Sequence, residues 1–145
     1  MSLNHYLIVE ARFYDDLADE MVQGAIEAIE ANNATYERLS VPGALEIPAA
    51  MKFADVGTAK VYAGYIALGV VIRGETSHYD YVCGESARAL QELAITHNMA
   101  VGNGILTVED HEQAWARADR KRKNKGADAA NAALRMAALK SEFKV

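Results

Sequence analysis

The stretch ALGVVIRGETSHYDYV, residues 67–82, decides the fold. An unbroken apolar run over residues 63–72, rich in β-branched side chains, stops at Arg73-Gly74 and gives way to small and polar residues that include His78. A continuous apolar run of that length reads as a strand buried on both faces, as in a parallel sheet. From Tyr79 onward the pattern turns helical, so the polar stretch lies at the carboxyl end of a strand and before a helix. Open α/β sheets hold their ligands there, and free backbone N–H groups at such a helix start suit an anion.

Working outward, the chain alternates strand and helix. Residues 6–9 form a short apolar strand, residues 10–14 a loop and residues 15–31 a helix that Asp15 or Asp16 can cap. Leu17, Met21, Ile26 and Ile29 fall near helical spacing and face the sheet. Asn32-Asn33 ends that helix, and residues 35–41 read as a second strand. Pro42-Gly43 breaks it, and residues 44–55 look helical with Pro48 in the first turn. After the central strand comes a long helix over residues 79–98. A fourth strand follows over 101–108, interrupted by Gly102 and Gly104. Two helices, 109–120 and 125–140, meet at a basic turn. No repeat, low-complexity tract or linker divides the chain, so residues 1–145 are one domain. Strands separated by helices imply right-handed parallel crossovers and a three-layer α/β/α sandwich.

Composition narrows the function. At 145 residues with 51% hydrophobic content the chain has ample core for a single domain. A net charge of -5 argues against a nucleic-acid surface, which needs Lys and Arg over a broad face. The one basic cluster, residues 117–125, is wide enough only for a small phosphate. The single Cys83 excludes an internal disulfide and suits a reducing compartment. With no signal peptide or apolar span long enough for a membrane, the expected location is the cytoplasm.

Gly74, Glu75 and Thr76 can offer main-chain N–H groups and a hydroxyl to an anion. The glycine spacing from Gly69 to Thr76 matches a P-loop, but Glu75 stands where that motif needs Lys, and nucleotide hydrolysis is rejected. His78 fits two roles, a proton shuttle to a bound substrate or a histidine capping the next helix. His5, His97 and His111 have no ligand spacing, and no metal is predicted. Phe13, after the first strand, can stack on a planar ring or pack in the core. Glu46 can accept hydrogen bonds from ligand hydroxyls or simply favour a helix start. Arg117 and Lys125 flank the basic turn, where a solvated face is the ordinary explanation.

Together these pieces are specific. Val41-Pro42-Gly43-Ala44-Leu45-Glu46-Ile47-Pro48, the 67–82 stretch, Gly104-Ile105-Leu106-Thr107, Glu112-Gln113-Ala114 with Arg117, and Asn124-Lys125-Gly126 follow in order over almost the whole chain. In this set the sequence resembles the lumazine synthase family of riboflavin biosynthesis. The resemblance implies a flavodoxin-like subunit with a central four-stranded parallel sheet, assembled into a homopentamer with active sites between neighbours. It implies two small-molecule substrates, 5-amino-6-(D-ribitylamino)uracil and 3,4-dihydroxy-2-butanone 4-phosphate, and no cofactor. By the same resemblance Phe13 stacks on the pyrimidine, while Ala44, Leu45, Glu46, Val70, Val71 and Ile72 hold its ring and ribityl chain, with Lys125 on the ribityl side. Glu75, Thr76 and Arg117 bind the phosphate, and His78 shuttles protons.

Two positions depart from the common pattern. Asn103 stands where many relatives carry an aromatic or apolar residue against the substrate ring, implying a polar or backbone contact. Glu75 replaces a frequent Ala, which is tolerable if only its N–H faces the phosphate. The turn at residues 119–123 lacks the glycines of shell-forming relatives, tilting the expectation toward a free pentamer or a pair of pentamers. Two other classes fit the fold: a flavin-binding or receiver module, for which only Glu10 supplies a strand-end acid, and a paralogue that binds lumazine or flavin without efficient catalysis.

Overall fold

The computed structural model describes residues 4–57 and 60–145. Its elements run β1 His5–Ala11, α1 Asp15–Ala31, β2 Thr35–Val41, a 3-10 turn Ala44–Glu46, α2 Ile47–Val56, β3 Gly64–Ile72, α3 His78–His97, β4 Val101–Val108, α4 His111–Ala118 and α5 Lys125–Phe143. The four strands form one parallel sheet in the order β2-β1-β3-β4.

Period-two alternation divides the core between the two faces of that sheet. Tyr6, Ile8, Ile66, Leu68, Leu106 and Val108 pack with Leu17, Met21 and Ile29 of α1 and with the alanines of α4 and α5. Leu7, Val9, Ala11, Tyr65 and Ala67 pack with Ile47 and Met51 of α2 and with Leu90 and Leu93 of α3. Helices on both faces make the expected three-layer α/β/α architecture.

Small residues bring α5 close to its neighbours. A Cβ on Gly126 would lie 2.1 Å from the Met21 carbonyl oxygen of α1, and one on Gly102 would lie 1.9 Å from the Ala129 carbonyl oxygen of α5. Gly102 and Gly104, which read as interruptions of the fourth strand, leave it continuous; Gly102 admits the backbone of α5, and Gly104 makes room for the Leu68 side chain and the Ala129 methyl group.

Several boundaries differ from the sequence expectation. Glu10 and Ala11, expected in a loop, belong to β1, because Glu10 is not solvated: it is 2% exposed and bound by Arg38 at 2.8 and 3.0 Å and by Arg12 at 2.6 Å. Residues 44–46 form a 3-10 turn, and α2 begins at Ile47 with Pro48 in its first turn. His78 is the first residue of α3. Neither Asp15 nor Asp16 is the N-cap of α1: Tyr14 occupies that place without a side-chain bond, and the Asp16 carboxylate accepts instead from the Leu17 N–H at 2.8 Å. Helix α4 stops at Ala118, where Asp119 turns extended, and α5 runs on to Phe143.

Candidate active site

The order β2-β1-β3-β4 reverses direction between β1 and β3, and at the carboxyl ends of those strands an open α/β sheet leaves a crevice. A cleft of about 430 Å³ lies there, lined by Ala11, Phe13, Tyr14, residues 43–46 and 70–72, His78 and Val82. Each lining group has a local cause. Val70, Val71 and Ile72 are the last, half-buried residues of β3. Ala44 is buried in the 3-10 turn that follows Gly43, next to Gly69 of β3. Phe13 projects from the short β1–α1 loop with its ring 75% exposed and edge-on to Tyr14, centroids 4.9 Å apart. A large apolar ring left in water at the lip of a crevice is a ready platform for a planar ligand.

At the polar end of the cleft, residues 74–77 link β3 to α3 and stay exposed. The His78 N–H donates to the Thr76 hydroxyl at 3.3 Å. Neither Glu75 nor Thr76 lines the cleft itself, so both stand beside it, at the start of a 20-residue helix whose first amides point toward this loop.

A second cleft of about 310 Å³ runs along the outer edge of β4 and holds the remaining predicted residues, Asn103, Arg117 and Lys125, together with Thr107 and Asp128. Arg117 is set by α4. Asp110 caps that helix by accepting from the Gln113 N–H at 2.8 Å, and the Gln113 side chain accepts in return from the Glu109 N–H at 2.8 Å. One turn later Arg117 donates to the Gln113 carbonyl at 3.0 Å. Lys125 opens α5 after Asn124, whose left-handed backbone (φ 46°) asparagine tolerates better than most residues; its ammonium lies 3.4 Å from Asp128. The Asn103 carboxamide turns back on its own edge strand, accepting the Ile105 N–H at 2.9 Å.

One chain therefore gathers Phe13, residues 44–46 and 70–72 and His78 at the switch point, and Asn103, Arg117 and Lys125 at the sheet edge. It does not bring the two groups together. Sequence reasoning missed Ala11, Tyr14, Gly43 and Val82 of the first cleft; Tyr14 was signalled only by its place beside Phe13. Among the described residues no group of three or more His, Cys, Asp or Glu is placed to hold a metal ion, and no helix is long and apolar enough to cross a membrane.

A family model described as 6,7-dimethyl-8-ribityllumazine synthase matches residues 4–141. The chain belongs to that family. A 6,7-dimethyl-8-ribityllumazine synthase 1 of Rhizobium meliloti is 60% identical over 143 residues, covering 96% of this chain and 93% of the relative. The 6,7-dimethyl-8-ribityllumazine synthase of Agrobacterium fabrum is 56% identical over 146 residues, 99% of each chain. That of Bartonella henselae is 55% identical over 139 residues, 96% of this chain and 90% of the relative. Membership in the lumazine synthase family agrees with the α/β sheet and with the order of motifs along the chain.

Proposed function

We propose that this lumazine synthase family member condenses 5-amino-6-(D-ribitylamino)uracil with 3,4-dihydroxy-2-butanone 4-phosphate to 6,7-dimethyl-8-ribityllumazine, releasing phosphate and water. The division of the candidate residues between two clefts supports it. A planar, hydroxylated substrate suits the switch-point cleft, and a phosphate ester suits the cationic one. Each cleft is half a site, so the reading includes a second copy whose β4 edge brings Arg117 and Lys125 to the Phe13 and His78 of the first. Closed rings of identical subunits use such head-to-tail contacts, and the proposed assembly is a ring of five, alone or paired with another. A reducing, cytoplasmic setting suits the free Cys83.

In this site the pyrimidine stacks on Phe13, with its edge along the backbone of residues 70–72. The Glu46 carboxylate and the Lys125 ammonium take the ribityl hydroxyls, beside Ala44 and Leu45, while the Asn103 backbone closes the ring from the other side. The phosphate lies between Arg117 and the first amides of α3, with the Thr76 hydroxyl and the Glu75 N–H beside them. The Glu75 carboxylate points away, since inward it would repel the anion. The uracil's 5-amino group attacks the ketone to form an imine with loss of one water, phosphate leaves by elimination, and the ribitylamino nitrogen closes the ring with loss of a second water. His78 passes the protons these steps exchange. Holding both substrates in one orientation turns a bimolecular encounter into an effectively unimolecular reaction.

Mixing the purified protein with both substrates and recording lumazine absorbance tests this. Absorbance that grows with turnover is the expected result. Binding of a lumazine or flavin with no turnover would replace the enzyme by a binding protein.

A further inference from the structure

Arg73, the first residue past β3, belongs to neither cleft, yet three separate groups converge on its guanidinium. Its Nε donates to both carboxylate oxygens of Glu109, at 2.9 and 3.1 Å. Its Nη1 lies 3.6 Å from an Asp80 carboxylate oxygen. Its Cζ stands 4.3 Å over the centroid of the Tyr79 ring. The Arg73 N–H also donates to the Val108 carbonyl at 3.0 Å, pinning the end of β3 to the end of β4.

These partners come from the segments on which the proposed chemistry depends. Tyr79 and Asp80 directly follow His78 in the first turn of α3, and Glu109 precedes the cap of α4, the helix that carries Arg117. Arg73 itself begins the loop with Glu75 and Thr76. The ion pairs are exposed, with side-chain exposures of 43% for Arg73 and 56% for Glu109, and exposed pairs contribute little to stability. Nor is the cation aimed at an anionic ligand, since two carboxylates already face it. What the arrangement supplies is direction: a planar fork with two acceptors at its rim and an aromatic ring beneath its face holds one geometry, which a lysine ammonium does not reproduce.

We propose that Arg73 is a positioning residue for the condensation, acting through His78 by fixing the first turn of α3 against the segment that leads into α4. The inference rests on the reaction proposed above. Because Arg73 acts through His78, its loss costs no more than His78 itself contributes, about 10²-fold in kcat.

The test is a double-mutant cycle on the full-length protein. Arg73→Lys is expected to lower kcat about tenfold with KM for the phosphate substrate unchanged, in line with the cost of small misplacements in a catalytic geometry. In a His78→Ala background the same change is expected to alter kcat less than about twofold, because coupled residues are not additive. Glu109→Gln, which keeps an acceptor but weakens the clamp, should show a smaller loss with the same non-additivity, and it carries the test if Arg73→Lys melts below the assay temperature. Unchanged kcat in both variants, full additivity with His78→Ala, or a rise in KM alone would overturn the proposal. The wild type run in parallel separates the two readings: no lumazine from wild type overturns the reaction, whereas active wild type with normal variants overturns only the role of Arg73.

Discussion

Phe13 keeps its ring in water at the lip of the switch-point cleft, and His78 opens α3 on the polar side of the same cleft. Neither is explained by packing. In the proposed reaction the ring positions the pyrimidine and the imidazole only moves protons, so removing the latter leaves orientation intact. His78→Ala is therefore expected to slow kcat about 10²-fold without abolishing turnover, read by steady-state kinetics with both substrates saturating; an unchanged kcat would remove His78 from the mechanism. Glu10 poses the opposite case, a charged residue with a structural role. Burial pushes its carboxyl up, but the hydrogen bonds and charges of Arg38 and Arg12 outweigh that and hold it below its ordinary value of 4.5. A carboxylate lowered in the folded state stabilises the fold fully above its unfolded value, and the contribution is lost as pH falls through the lower folded value. Thermal melts taken from neutral pH into the acid range should thus show a steep acid limb, and Glu10→Gln should flatten it while lowering Tm at neutral pH.

At the level of elements, α5 is the least forgiving. Its first turn meets α1 where Gly126 leaves no room for a methyl group against the Met21 carbonyl, and backbone cannot yield as a flexible side chain can. Gly126→Ala is expected to cost about 1–3 kcal/mol or more, as overpacking of close-packed contacts does, measured by urea denaturation; and because Lys125 is its neighbour, loss of activity should accompany the loss of stability. The elements themselves were legible where hydrophobic pattern and punctuation agreed: the apolar run into Arg73-Gly74 marks the end of β3, and Asn32-Asn33 and Pro42-Gly43 mark the ends of α1 and β2. They were not legible where tertiary partners override local character. Glu10 looks like a loop residue until Arg38 arrives from β2, and α4 ends before its helical composition does because Asp119 accepts backbone bonds from Arg122 and Asn124. The candidate residues were nameable from their motifs, and the resemblance already implied a site shared between neighbours. That Phe13 lies at the switch point and Arg117 along the β4 edge was not legible in spacing alone, which does not say which strand forms the free edge.

The whole molecule carries two separate clefts, one at the switch point and one along the β4 edge, and the proposed assembly predicts a behaviour that no single chain can show. In the proposed ring each complete site takes Phe13 and His78 from one copy and Arg117 from the next. Phe13→Ala and Arg117→Ala copies, each nearly inactive alone, should therefore restore one another when unfolded together and refolded into mixed rings. With equal amounts and random assembly, a site is whole only where an Arg117→Ala copy presents its intact Phe13 side to a Phe13→Ala copy, so about one quarter of wild-type activity is expected. Mixing without unfolding should recover none until subunits exchange, and sedimentation should show rings in both samples. If the site were instead complete within one chain, each copy would carry its own defect into every ring and refolded mixtures would stay as inactive as their parts. Wild-type protein refolded alongside fixes the scale, so failure of refolding is not mistaken for failure of complementation.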